Sequence, residues 1–173
     1  MSNNFQIIKN NIKPGDILLS RLKKDPISKT IRGITQSHWS HSSIYIGDNK
    51  IVESNWNGVR IQPLEEYSKP EYVVGLFRIT PELTEQETKG LIKFVRKQIG
   101  IHYGYLQLLW QLILRLFGKS EDPDWALDVD KGLICSELIA LSYAHIGRAL
   151  TELEPSQTEP VDLDSSSKTI RIV

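Results

Sequence analysis

The chain has 173 residues, 40% of them hydrophobic and 24% charged, a composition that fits one globular domain over residues 1–173 and argues against disorder, collagen-like structure and a dense disulfide scaffold. Lys plus Arg total 21 and Asp plus Glu total 21, for a formal net charge of zero, so nothing global drives the chain toward nucleic acid or an anionic membrane. In chain order, Pro14-Gly15-Asp16 punctuates the approach to Ile17-Leu18-Leu19, a short buried-strand signal. The alternating run His41 to Gly47 reads as a second strand, Gly47-Asp48-Asn49-Lys50 as a turn and Ile51 to Trp56 as a third strand. Asn57-Gly58 is a strong hairpin signal before Val59 to Gln62, which completes an antiparallel meander.

Tyr72 to Ile79 predicts one more strand. Thr84 with Glu87 three residues on forms a capping box for a helix carrying Leu91, Ile92, Phe94, Val95 and Ile99, ended by Gly100. From Tyr105 to Phe117 an apolar helix is expected, with Gln107, Gln111 and Arg115 along one stripe. It is shorter than the roughly 20 residues needed to cross a bilayer. A third helix, apolar nearly all round, begins near Ile134-Cys135 and runs to His145 or Ile146, closed by Gly147. Glu152 to Ser167 reads as a long surface connection and Lys168 to Val173 as a final strand. Helices and antiparallel strands are largely segregated, which predicts an α+β fold.

Cys135 is the single cysteine, so no intramolecular disulfide forms. No secretory signal is read in Met1 to Asp16, and a reducing, cytoplasmic setting is the expectation. At a helix N-terminus, unpaired backbone N–H groups and the helix dipole favour the thiolate, the nucleophilic form of the side chain. The competing reading is a small buried hydrophobe. Of His38, His41, His102 and His145, only His41 is well placed as a base, because it opens a strand directly after a polar loop. His145 lies about 15 Å from Cys135 along the same helix. A third group that orients such a base is expected, and Glu53 is the candidate, with Asn55 and Asn57 as substitutes. A two-residue Asp48-Asn49 turn would place Glu53 on the sheet face opposite His41, whereas a bulge or longer loop would restore the same face.

The run from His41-Ser42-Ser43-Ile44-Tyr45-Ile46-Gly47 through Val52-Glu53 resembles the base-bearing strand of NlpC-type papain-like cysteine peptidases. Ile134-Cys135-Ser136-Glu137-Leu138 follows this sheet instead of preceding it, an order similar to the circularly permuted YiiX/YebB-like branch, related to the lecithin:retinol acyltransferase group. Gly15-Asp16-Ile17-Leu18-Leu19 and Trp39-Ser40-His41 also resemble that branch, and Pro160-Val161-Asp162-Leu163 is similar to its late loop.

The resemblance implies a permuted papain-like fold, an antiparallel sheet against a central helix bearing the nucleophile. It also implies a cysteine hydrolase with Cys135 as nucleophile, His41 as general base and Glu53 as orienting residue, using no cofactor and no metal. Tyr103 matches an active-site tyrosine of the family, against the alternative of a packing aromatic. Trp39 and Trp56 flank the expected site and are candidate apolar walls, against the alternative of simple burial.

The acyl donor expected is a peptide, a cell-wall-derived peptide or a lipid-like ester, and membrane contact is not required. Three alternatives stand beside hydrolysis. An acyltransferase could use the same residues, a noncatalytic partner- or membrane-binding protein could use the helix Tyr105 to Phe117, and a metal module could use His38, His41 and Cys135. The last lacks the paired spacings of strong metal motifs.

Overall fold

The computed structural model describes residues 3–24, 37–55, 58–101 and 135–173. Helix α1 (Asn3–Asn11) leads into strand β1 (Ile17–Leu22), followed by β2 (His41–Gly47), β3 (Lys50–Asn55) and β4 (Gly58–Pro63). A 3-10 turn over Leu64–Ser68 leads to β5 (Tyr72–Ile79) and helix α2 (Glu85–Lys97). Helix α3 (Cys135–His145), the short helix α4 (Pro160–Asp164) and strand β6 (Thr169–Arg171) complete the described fold. The six strands form one antiparallel sheet in the order β4-β3-β2-β1-β5-β6. The fold is α+β, as the segregation of patterns predicts.

Alternation along the strands sorts side chains onto two buried faces. On one, Ile17, Leu19, Ile44, Ile46, Val52 and Phe77 pack against Leu91 and Val95 of α2 and Leu138, Ile139 and Tyr143 of α3. On the other, Leu18, Tyr45, Ile51, Val74 and Leu76 pack against Phe5 and Ile8 of α1 and Leu64 and Tyr67 of the 3-10 turn. Helix α1 was not foreseen: only Phe5 and Ile8 are buried, with Ile7 exposed in a short, otherwise polar run, too little periodicity to declare a helix.

Thr84 caps α2 as expected, its hydroxyl accepting from the Glu87 N–H at 3.2 Å while the Glu87 carboxylate accepts from the Thr84 N–H at 2.7 Å. Helix α3 starts and stops where its pattern predicts, and Gly147 follows with φ of 75°. The connection read between Glu152 and Ser167 is only partly a surface loop, because it contains α4, whose Pro160 and Leu163 are buried. Ser136 of α3 donates to the Thr158 carbonyl at 2.5 Å, tying the start of α3 to this segment. The expected helix Tyr105 to Phe117, together with Trp56, Asn57, His102 and Tyr103, lies outside the described residues.

Candidate active site

His41 is the first residue of β2 and Cys135 the first of α3. The ends of the two elements meet so that the imidazole and the sulfur stand close enough for each to shift the titration of the other. The Nε2 of His41 lies 2.9 Å from Glu53 Oε2. With Nε2 held there, Nδ1 is the ring nitrogen left for the sulfur. Cys135 and Glu53 are 5% and 8% exposed, respectively, and the His41 ring is half-buried between them.

Glu53 reaches His41 through a register shift. The turn between β2 and β3 has only two residues, Asp48 and Asn49, both at positive φ (52° and 54°), and it pairs Gly47 with Lys50. Continued without interruption, that register would put Ile44 opposite Glu53 and turn its carboxylate away from His41. The ladder instead slips between Tyr45 and Gly47, so that Ser43 faces Glu53. An extra residue in one strand changes which side chains share a face. Glu53 thereby joins Ser43 and His41 on one face of the sheet.

A residue absent from the sequence reading completes the surroundings of Glu53. Arg60 of β4 stands directly opposite it across the sheet and donates from Nε at 3.0 Å and from Nη2 at 2.8 Å, both to Oε1. Asn55 reaches the same oxygen at a longer 3.5 Å, so it supplements Glu53 rather than replacing it. Taking Asn57-Gly58 as the two turn residues would have set Gln62 opposite Glu53. The observed pairing of Asn55 with Gly58 brings Arg60 there. Deeper on the same face, Ser43 Oγ and Tyr67 Oη are 3.0 Å apart and Ser20 Oγ donates to Tyr67 at 3.5 Å.

The electrostatics follow from this packing. For Glu53 the largest single effect is burial, which favours the neutral acid, but hydrogen bonds and charge from His41 and Arg60 outweigh it and lower its pKa to about 2. For His41 burial alone would lower the pKa; the bonds to Cys135 and Glu53 and their charges reverse this and raise it to about 10. Burial pushes the Cys135 thiol up, yet hydrogen bonding to His41, the imidazolium charge and the Ser42 backbone N–H bring it below the ordinary thiol range. The favoured state is a thiolate–imidazolium pair. The fully buried Ser42 hydroxyl makes no regular hydrogen bond and stands within reach of the same sulfur.

Other sequence candidates fall elsewhere. Trp39 is fully buried in the core, edge-on to Phe77 at 6.1 Å, because the side chain that would occupy its place is missing at Gly75. His38 packs edge-on against Trp39, and His145 stacks on Phe94 at 4.2 Å. Among the described residues no three His, Cys, Asp or Glu side chains converge to hold a metal ion. Both Glu53 oxygens are committed, to His41 and Arg60. No described helix is long and apolar enough to cross a membrane.

The chain is 26% identical over 174 residues to the "Probable lipoprotein peptidase YaeF" of Escherichia coli K12, an alignment covering 88% of this chain and 63% of that protein. The chain thus spans less than two thirds of its curated relative. Among solved structures it resembles the metalloprotein YiiX of Escherichia coli O157:H7, with TM-score 0.67 and 16% identity over 93% of this chain and 96% of that one, a likeness of fold. The family model of the permuted papain-like amidases, YaeF/YiiX, C92 family, matches residues 11–169. With a cysteine helix following the sheet that carries the histidine, the chain belongs to this family of permuted papain-like amidases.

Proposed function

We propose that this enzyme hydrolyses amide bonds in peptide or lipoprotein-derived substrates through a thioester on Cys135, with His41 as base and acid and Glu53 as orienting residue. The observation that carries the reading is the meeting of Cys135 at the start of one helix with His41, whose ring is held by Glu53 at 2.9 Å. A thiolate paired with an imidazolium is already the nucleophile, and the imidazolium already holds the proton that a departing amine requires.

The sulfur attacks the carbonyl carbon, and the resulting oxyanion is met by the Cys135 backbone N–H, one of the amide groups that the first turn of a helix leaves unpaired. The C–N bond breaks as His41 passes its proton to the amine. Water then attacks the thioester, giving its proton to His41 and its hydroxyl to the carbonyl carbon, which frees the acid and restores the thiolate. Glu53 keeps the ring oriented and compensates its charge throughout.

Intact-mass analysis tests this directly, because the chain has a single cysteine. Incubation with peptide amides and with acylated peptides should yield an acyl adduct that maps to Cys135 and decays with release of the acid. Absence of adduct and of product across both sets, from a folded protein, would overturn the assignment. Decay only when an added amine is supplied would replace hydrolysis with acyl transfer.

A further inference from the structure

We infer that Arg60 is a positioning residue of the cysteine site, clamping one oxygen of Glu53 so that the other remains aimed at His41. The inference rests on the reading of Cys135, His41 and Glu53 as the reacting set. Arg60 and Glu53 are cross-strand partners, so the guanidinium approaches from the strand beside Glu53 and both donors converge on Oε1. Oε2 is thereby left to His41.

Without Arg60, Oε1 would be a buried acceptor served only by the long contact from Asn55. Such a carboxylate relieves its desolvation by swinging toward solvent or by taking a proton. Either course deprives Nε2 of a charged acceptor and weakens the imidazolium, on which the Cys135 thiolate depends. The groups facing Glu53 are His41 from β2, with Cys135 of α3 beyond it, Arg60 from β4 and Asn55 from its own strand β3. Its charge also reaches the hydroxyls of Tyr67 and Tyr72. Arg60 is the cation that hydrogen-bonds to Glu53 on the side away from His41.

The fork of Arg60 makes a specific demand. A lysine supplies charge but not two diverging N–H groups on one planar frame, so Arg60→Lys should restore part of the effect and Arg60→Gln none.

The test is the rate of iodoacetamide alkylation of Cys135, followed by intact mass, at pH 6 and at pH 9.5. The ratio of the two rates reports how much thiolate the imidazolium maintains where an ordinary thiol would be protonated. Arg60→Gln should lower the ratio about tenfold relative to the unmodified protein, equivalent to one pKa unit in the ion-pair equilibrium, with Arg60→Lys in between. In a Glu53→Gln background, Arg60→Gln should change the ratio no further, because Arg60 acts through Glu53. A ratio unchanged by Arg60→Gln, or equal slowing at both pH values, would overturn the inference while leaving the cysteine site intact. An ordinary thiol profile in the unmodified protein would instead sink the site reading itself. Circular dichroism of each variant confirms that the rates refer to folded protein.

Discussion

Glu53 faces Ser43 across the sheet although the turn joining their strands pairs Gly47 with Lys50. Those two pairings are incompatible in an uninterrupted ladder, and the irregularity between Tyr45 and Gly47 reconciles them. The tight turn keeps β2 and β3 closely joined, and the slip rotates Glu53 onto the face where His41 stands. The Glu53 carboxylate is thus aimed by backbone register, with Arg60 holding it from the next strand.

The first prediction concerns the Cys135 thiol. An ordinary thiol titrates near 9 and would lose alkylation rate about a hundredfold between pH 8 and pH 6. Cys135 is held below that range by His41, so its thiolate persists as pH falls, and the rate should decline far less over the same interval. His41→Ala should restore the steep decline. A steep profile in the unmodified protein would contradict the ion pair.

Acid stability should carry the signature of Glu53. Its pKa falls from an ordinary 4.5 to about 2 in the fold. A lowered carboxylate pKa stabilises the folded state fully above the ordinary value and loses that contribution as pH drops from about 4.5 toward 2. The interval corresponds to on the order of 3 kcal/mol. Urea unfolding at pH 7 and pH 3 should therefore show a larger acid loss for the unmodified protein than for Glu53→Gln. Equal losses would mean that the ionised carboxylate contributes nothing to folding.

Gly75 should not tolerate a side chain. A Cβ there would lie 2.9 Å from the Trp39 ring and 2.9 Å from Phe77, closer than carbon atoms pack. Both rings sit in the core and the Arg171 guanidinium carbon is 5.5 Å from the Trp39 ring centroid. Gly75→Ala should cost about 1–3 kcal/mol as an overpacked core, with a shift in tryptophan fluorescence as the ring moves. An unchanged denaturation midpoint would show that the core can yield there.

Asp16 anchors the opposite end of β1 from the site. Its carboxylate accepts from Arg78 Nε at 2.8 Å and Nη2 at 2.7 Å and from the Lys13 backbone N–H at 2.7 Å, and both charged side chains are largely buried. Asp16→Ala leaves Arg78 without its principal counter-charge and should cost about 3–5 kcal/mol. Cys135 alkylation under native conditions should keep its pH profile, since His41 pairs with Ser20 at the far end of the strand. A changed profile would reveal coupling between the two ends of the sheet.

Local patterning made much of this molecule readable before any coordinates. The strand His41–Gly47 and the helix Cys135–His145 coincide with their predicted spans, and the capped helix starts where expected at Glu85 but ends at Lys97, before Ile99, because alternation, a reciprocal cap and a continuous apolar run are properties of neighbouring residues. Cys135, His41 and Glu53 were equally open to nomination as candidates, since few side chains in the chain offer a thiol, a strand-end imidazole and a carboxylate among apolar neighbours.

What remained illegible is what depends on pairing over distance. Nothing in Asp48-Asn49 announces that the ladder slips between Tyr45 and Gly47, nor does Asn57-Gly58 reveal that Arg60, and not Gln62, will meet Glu53. Trp39 offers the same lesson in the core: only the approach of β5, with glycine at position 75, decides that its ring is enclosed rather than open to substrate. The sequence by itself marked Cys135, His41 and Glu53 as candidates and delimited several of the helices and strands. Tertiary structure alone decided their facing, because a shift of one residue in a β ladder reverses every side chain while leaving the local pattern unchanged.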